Sequence, residues 1–375
     1  MILEVAALWA LGVAIVGAWA VARARTRPDS SNAHAASVLV VRPCAGAEAE
    51  LARCLASLPR TRLATRTLLA VESLSDGAWT TAAMAAATLR LRGQDADVVL
   101  TGARGPNRKA DQIARAIAVE RGDIVVVVDS DIDLEDFDLD ALIAPFARVD
   151  VAATWAPPVE VAPLTFGDRA SMAVLAGSLH AFPLLAALDP RGMVGKVMAL
   201  RASCLREVGG FESRVDRLGE DMDLARSFAA RGWRVECVAA IARSRASGRT
   251  VGDVVGRYAR WLAVIREQRP LLLVSYPLLF AATPLVVTLA LAAWTPGSLA
   301  VIAAAIAARV GVAVGARRAS GMRPSFRVAL FDAVAGDALL LCAFVRALVT
   351  RDVRWRARTL RFERRGHLAH EELAG

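Results

Sequence analysis

Hydrophobic and polar positions fall into blocks along this chain, and the first block is an apolar run over residues 1–22, broken only by Glu4. Its length suits a membrane-spanning helix. Arg23, Arg25 and Arg27 follow it. A cleaved secretory signal carries its charges before the apolar stretch, so the reversed order predicts a retained anchor, with the chain beyond it in the cytoplasm. Residues 23–36 are polar and predict a linker.

Periodic segments then alternate. Ser37 to Pro43 predicts a strand, Glu48 to Leu58 a helix, Leu68 to Val71 a strand, Ala78 to Arg92 a helix and Asp97 to Leu100 a strand. From Asn107 to Arg121 apolar residues recur at 110, 113, 114, 117 and 118, and the pattern stops at Gly122, which predicts a helix closed by glycine. Ile124 to Val128 is an unbroken β-branched run, as expected of a buried central strand. This alternation implies a mostly parallel sheet with helices on its faces.

Beyond it the pattern is less regular, with prolines at 157, 158, 163, 183 and 190. A helix is predicted to begin just after Glu220 and Asp221. Between Val251 and Arg266 the residues Val251, Val254, Val255, Tyr258, Leu262 and Ile265 share one helical face. Arg257, Arg260 and Val264 lie on the other side, with Trp261 at the border. Residues 251–268 therefore predict an amphipathic helix in the membrane interface, its arginines turned up; packing against a protein core is the alternative. Residues 271–349 hold three further apolar segments: Leu271 to Ala293, Ser298 to Val314, and Val328 to Val349, with Trp294 to Gly297 as a turn. The last carries Asp332, Asp337 and Arg346, which are costly in lipid. Three crossings would put the tail outside, whereas the arginines of residues 350–375 favour the inside. The expectation is that one segment, the last, lies in the interface or among protein.

Composition agrees with a membrane protein: the 375 residues are 55% hydrophobic, with a mean hydropathy of +0.42. The net charge of +9 does not point to nucleic acid, because much of the excess flanks apolar segments at Arg23 to Arg27 and Arg351 to Arg365, where it would meet anionic headgroups. No zinc-finger spacing or aromatic-basic interleaving supports base reading. Of 46 basic residues only Lys109 and Lys196 are lysines. The five cysteines show no paired spacing and fit a reducing compartment.

Candidate chemistry begins where the central strand ends, at Asp129-Ser-Asp131. Two carboxylates at i and i+2 beyond a strand end can face a common point, as a hard divalent cation and a diphosphate require. A solvated acidic loop is the competing reading, and the acidic residues from Asp133 to Asp140 are assigned to one. Carboxylates at a helix start, such as Glu220 and Asp221, are favoured by the helix dipole, or else one of them serves as a general base.

Asp129-Ser-Asp131, Gly219-Glu-Asp221 and Arg257-Tyr-Ala-Arg-Trp261, in that order, resemble the Asp-Xaa-Asp, Glu-Asp and (Gln/Arg)-Xaa-Xaa-Arg-Trp motifs of family 2 inverting glycosyltransferases. The resemblance is closest to ceramide glucosyltransferases and hopanoid-associated glycosyltransferases. Arg42 to Leu51, Gly105 to Lys109 and Val353 to Arg358 resemble further family segments, so it covers about Val38 to Leu368. It implies an α/β, Rossmann-like GT-A domain over residues 37–250 between N- and C-terminal transmembrane helices, in the bacterial inner membrane and facing the cytoplasm. It implies a nucleotide-sugar donor, UDP-glucose or UDP-N-acetylglucosamine, and a membrane lipid acceptor such as ceramide or a hopanoid polyol. Asp129 and Asp131 would hold Mg²⁺ or Mn²⁺. Asp221 would be the base; Arg257, Arg260 and Trp261 would serve phosphates and substrate; Lys109 and Glu220 would line the donor site. The family's aspartate after the second strand is replaced by Ser73, so Glu72 or Asp76 takes the nucleoside contact, or the base differs. A processive polysaccharide synthase and a non-catalytic nucleotide-binding membrane protein remain as alternatives. The oligomeric state is not legible.

Overall fold

A computed structural model describes residues 2–25, 37–350, 352–355, 358–361 and 368. Of the linker expected over 23–36, residues 23–25 instead continue the first helix, and residues 26–36, like most of the basic tail, lie outside the described residues. The chain divides into two compact units, a helical one of residues 1–27, 162–189 and 248–359, and a sheet unit of residues 28–161, 190–247 and 360–375. The block expected over 37–250 is therefore interrupted by Ala162–Asp189, which groups with the apolar helices.

Among the described residues the sheet unit holds the strands β1 (Val38–Cys44), β2 (Thr65–Val71), β3 (Asp95–Leu100), β4 (Ile124–Val128), β5 (Ile132–Asp133), β6 (Val151–Trp155), β7 (Pro158–Glu160), β8 (Val197–Arg201), β9 (Arg234–Cys237) and β10 (Ala242–Ser244). Seven form the main sheet in the order β3-β2-β1-β4-β8-β6-β9, while β5, β10 and β7 make a small second sheet. All neighbours in the main sheet are parallel except at β8, which runs against both β4 and β6. Every residue of β4 is buried, as its uninterrupted β-branched run requires.

Helices α2 (Leu51–Ala56), α3 (Trp79–Leu91), α4 (Arg108–Val119), α5 (Leu139–Ile143), α8 (Ala202–Glu207) and α9 (Glu220–Ala230) belong to this unit. One hydrophobic cluster joins Val38, Ile124, Val126 and Val128 to Leu142 and Phe146. A second sets Leu69 and Val71 against Leu55 and Ala82. Helix α4 stops at Val119, short of Gly122. Gly122 is not a helix cap: a Cβ there would lie 3.0 Å from the backbone nitrogen of Leu39, so close approach to β1 demands glycine.

The stretch expected to be a solvated acidic loop is largely folded. Asp133 is buried and paired with Arg245 at 2.5 Å and Arg53 at 3.3 Å. Asp138 caps α5, Asp140 accepts from the Thr61 hydroxyl at 2.6 Å, and Glu135 and Asp136 are the exposed members.

The helical unit comprises α1 (Ile2–Arg25), α6 (Phe166–Gly177), α7 (Phe182–Leu188), α10 (Val251–Gln268), α11 (Pro270–Phe280), α12 (Ala282–Ala293), α13 (Pro296–Ala319) and α14 (Phe326–Val349). Two short strands follow, β11 (Asp352–Trp355) and β12 (Arg358–Arg361). Among the described residues, Ile2–Ala24, Phe166–Leu188, Pro296–Ala319 and Phe326–Val349 are long and apolar enough to cross a membrane. The apolar stretch expected over Leu271 to Ala293 is broken into two helices, bent by 44°, that together are long and apolar enough for a broken span or a re-entrant loop. Pro284 accounts for the break, since it has no N–H to donate and its ring crowds the carbonyl four residues earlier.

Small residues let α1 and α13 approach: a Cβ at Gly17 would fall 2.7 Å from Val312, and one at Gly315 2.6 Å from Val21. Most of the α10 face expected to meet lipid is covered by protein, while Val251 at its start is exposed and Val255 half-buried. Val254, Tyr258, Leu262 and Ile265 are buried, α10 packs on α6 and α14, and the Tyr258 hydroxyl donates to the Ser171 carbonyl at 3.1 Å.

The two aspartates of α14 have partners on α13. Arg309 forks onto Asp337, Nε to Oδ2 at 3.0 Å and Nη2 to Oδ1 at 2.9 Å, and Arg317 forks onto Asp332 at 2.5 and 2.9 Å. Arg309 also donates to the Gly177 carbonyl at 3.0 Å, tying in the end of α6. These aspartates therefore do not bar α14 from an apolar environment. Removing one partner of such a buried pair costs about 3–5 kcal/mol. Asp337→Asn is expected to lower the unfolding temperature of the detergent-solubilised protein, and Asp337→Leu combined with Arg309→Met to recover most of the loss. An unchanged unfolding temperature in Asp337→Asn would show the pair to be dispensable.

Candidate active site

The site is built at the carboxyl end of β4, where ligands bind in open α/β sheets. Asp129 follows β4 directly, and its backbone N–H donates to the Lys196 carbonyl at 2.9 Å, just before β8. Beneath this loop lies Arg42 of β1, with 1% of its surface exposed. Its guanidinium donates to the carbonyls of Cys54 at 2.6 Å, Asp129 at 3.2 Å and Ile132 at 2.6 Å. Burial lowers the Arg42 pKa from its ordinary value, but a guanidinium starts so high that it stays charged. Arg42 thus fixes the backbone that presents both aspartates.

The second carboxylate pair arrives on α9. Gly219 occupies the left-handed region at φ 80°, where glycine is favoured, and starts the helix at Glu220 and Asp221. Asn107 caps α4 by accepting from the Ala110 N–H at 3.1 Å, and its amide donates to Glu220 at 3.0 Å and to the Arg217 carbonyl at 2.6 Å. Asp223, one turn deeper, is a structural residue, buried between Arg214 and Arg217 at 2.9 Å each.

Lysines join the two pairs. Lys109 Nζ lies 2.7 Å from Asp129 Oδ1, 3.3 Å from Glu220 Oε1 and 3.0 Å from the Gly195 carbonyl it donates to. Lys196 Nζ lies 2.5 Å from Asp131 Oδ2 and 3.4 Å from Asp129 Oδ2. The Ser244 hydroxyl also donates to Asp131, at 2.8 Å. Burial alone would lower the Lys109 pKa, but Asp129 and Glu220 outweigh it and hold the ammonium above its usual range.

Asp221 differs from its neighbours. Burial first, and then the Glu220 charge, push its carboxyl up to about 6 against the opposing pull of Lys109. It accepts from the Gly195 N–H at 2.7 Å. A Cβ at Gly195 would come within 3.1 Å of the Asp221 side chain, so a larger residue would push the carboxylate from this position.

The sequence-predicted residues therefore gather unevenly. Asp129, Asp131, Lys109, Glu220 and Asp221 form one linked set. Glu72 sits apart, with one carboxylate oxygen 3.7 Å from Arg108. Asp76 is engaged in a turn, accepting from the N–H groups of Gly46 at 2.8 Å and Ala78 at 2.9 Å, and Ser73 bonds Ser75 at 2.9 Å. Arg257, Arg260 and Trp261 belong to the helical unit. There the Arg257 guanidinium lies 4.8 Å from the centre of the Trp261 ring, which also meets Tyr258 edge-on at 5.1 Å and Phe182 at 5.9 Å. Lys196 and Arg42 were not singled out as site residues. A signal for the first lies in composition, since a chain that defaults to arginine keeps just two lysines, and both are here.

The chain matches the model of glycosyl transferase family 21 over residues 2–368. It belongs to that family. The family is the one of ceramide glucosyltransferases, and this family 21 chain is a glycosyltransferase of GT-A fold. Among solved structures it is similar to the mannosyltransferase PcManGT from Pyrobaculum calidifontis in complex with GDP-Man and Mn²⁺, at 18% identity and a TM-score of 0.54, over 92% of this chain and 99% of that one. A weaker likeness is to glucosyl-3-phosphoglycerate synthase from Mycobacterium tuberculosis in complex with Mg²⁺ and UDP, at 17% identity and a TM-score of 0.39, over 66% and 81% of the chains. Comparison with curated protein sequences finds no match.

Proposed function

We propose that this family 21 glycosyltransferase moves a single sugar, with inversion, from UDP-glucose or UDP-N-acetylglucosamine to the hydroxyl of a membrane lipid such as ceramide or a hopanoid polyol. The observation that carries the reading is the Asp221 carboxyl, raised to about 6 and held beside the Asp129-Asp131 pair. A base is most effective when its pKa lies near the working pH.

Asp129 and Asp131 are assigned to a divalent cation, Mg²⁺ or Mn²⁺. Among the described residues no group of three or more His, Cys, Asp or Glu side chains could hold a metal alone. The donor set nevertheless fits: both carboxylates converge on one cation already, the Lys196 ammonium, and Mg²⁺ commonly takes only one or two carboxylates, with phosphates completing its sphere. PcManGT, solved with GDP-Man and Mn²⁺, supports the same assignment. When bound, the cation would neutralise the departing diphosphate. Lys109 holds Asp129 and Glu220 in register. Asp221 takes the proton from the acceptor hydroxyl as its oxygen attacks the anomeric carbon from the face opposite the leaving group. Arg257 and Arg260 are assigned to the phosphates, with Trp261 fixing the Arg257 plane. Glu72 is the better candidate for the nucleoside, since Asp76 is spent on its turn.

A lipid acceptor is supported by the apolar helices. We further assign the sheet unit and the tail to the cytoplasmic side of a bacterial inner membrane. Both ends of Ala162–Asp189 continue into the sheet unit, and the Leu368 N–H donates to the Asp216 carbonyl at 2.7 Å, so the tail returns there too. Each excursion must then cross an even number of times. On this reading α13 and α14 cross and the bent α11-α12 pair turns back, rather than the last segment lying in the interface. A cysteine placed at Gly375 in a Cys342→Ser background is expected to resist membrane-impermeant maleimide in intact cells; labelling from outside contradicts this topology.

Membranes containing the protein, given radiolabelled UDP-sugars and extracted lipids, are expected to yield label in the lipid phase. The rate should fall as pH drops through about 6, because protonation removes the Asp221 base, and Asp221→Asn should lose about 10²–10⁴-fold. Label confined to water-soluble or polymeric product would defeat the proposal, and a fully active Asp221→Asn would remove Asp221 from it.

A further inference from the structure

The chain's 46 basic residues include two lysines, Lys109 and Lys196, and both ammonium groups meet Asp129. Their duties differ. Lys109 spans the two motifs, from Asp129 to Glu220. Lys196 touches only the first motif, with Asp131 Oδ2 at 2.5 Å and Asp129 Oδ2 at 3.4 Å. Its ammonium lies where the two carboxylates converge, which is the place a hard cation would be accepted.

The backbone around Lys196 holds it there. Its carbonyl accepts from the Asp129 N–H at 2.9 Å. The preceding Gly195 donates to Asp221 at 2.7 Å and accepts from Lys109 at 3.0 Å. The dipeptide thus links both acidic motifs, and the side chain is 19% exposed, so solvent and a ligand can still reach it. Two carboxylates held this close repel one another unless a cation lies between them. An ammonium supplies that charge as a compact single point on a flexible stem. A guanidinium would grip a carboxylate through two parallel bonds and release it less readily.

We propose that Lys196 is a resident counterion of the donor-free enzyme: it occupies the divalent-cation position between Asp129 and Asp131, is exchanged for the metal when donor diphosphate arrives, and then pairs with that diphosphate. This rests on the assignment of Asp129 and Asp131 as cation ligands. The exchange stays balanced in charge: the carboxylates give up one positive charge and receive two, and the negative charges of the incoming diphosphate offset both the added metal charge and the freed ammonium. It makes Lys196 a positioning residue, and it makes metal binding weak without nucleotide and strong with it.

The test is Mn²⁺ binding to the full-length, detergent-solubilised protein, read as loss of the free-ion paramagnetic resonance signal, with and without UDP. Lys196→Met is expected to bind Mn²⁺ about tenfold more tightly than the parent in the absence of UDP, and to gain less from its addition. Equal or weaker Mn²⁺ binding by Lys196→Met overturns the proposal. Should Lys196→Met lose its thermal unfolding transition, Lys196→Arg decides: it keeps the charge but forks, and is expected to bind Mn²⁺ more weakly than the parent in the presence of UDP, unchanged binding being the contrary result. If Mn²⁺ binds parent and Lys196→Met alike, only the role of Lys196 fails. If Mn²⁺ binds neither while UDP still binds, the cation assignment of Asp129 and Asp131 fails, and this proposal with it.

Discussion

Four carboxylates, Asp129, Asp131, Glu220 and Asp221, must share one small volume without driving each other apart. Left alone, such a set would protonate or splay. Two lysines prevent this, Lys109 at 2.7 Å from Asp129 and Lys196 at 2.5 Å from Asp131. Much of the sheet unit serves that arrangement. Arg42 fixes the loop after β4 through three carbonyls, Asn107 links α4 to Glu220, and Gly195 leaves room for Asp221. The outcome is a division of labour among chemically similar groups, in which Asp129 and Glu220 are tied to ammonium and Asp221 is raised into the range of a working base.

The helical unit solves a parallel problem by different means. Asp332 and Asp337 are buried among apolar helices, where a single-point ammonium contact would leave much of each carboxylate unsatisfied. Arginines do this work, each forking onto one aspartate across α13 and α14. Arginine fits where a pair is permanent, as in these two buried forks.

Legibility in the sequence followed the range of the interaction. The strands β1 to β4 and helices α3 and α4 were plain, because period and burial are local signals. The motif order Asp129-Asp131, Glu220-Asp221, Arg257-Trp261 led to the family through a resemblance that full-length family membership supports. What was missed depends on partners far away in the chain. Lys196 meets Asp131 across 65 positions, and Asp337 meets Arg309 across 28. Without those partners Lys196 had no assigned role and Asp337 looked like an obstacle to a span. The helices over Phe166–Leu188 were hidden by Pro163 and Pro183. Pro183 in fact lies in the first turn of α7, where proline is tolerated. The capping box of Thr165 and Asp168 was the available signal for the first of them.

If Asp221 deprotonates an acceptor hydroxyl that attacks opposite the leaving diphosphate, the sugar's configuration inverts in one step. The most direct test is the anomeric configuration of the first glycolipid formed from a UDP-α-sugar, read from the coupling between the anomeric proton and its neighbour in the proton NMR spectrum. Single displacement gives a β-linked product with a large coupling. An α-linked product, with a small coupling, would contradict it.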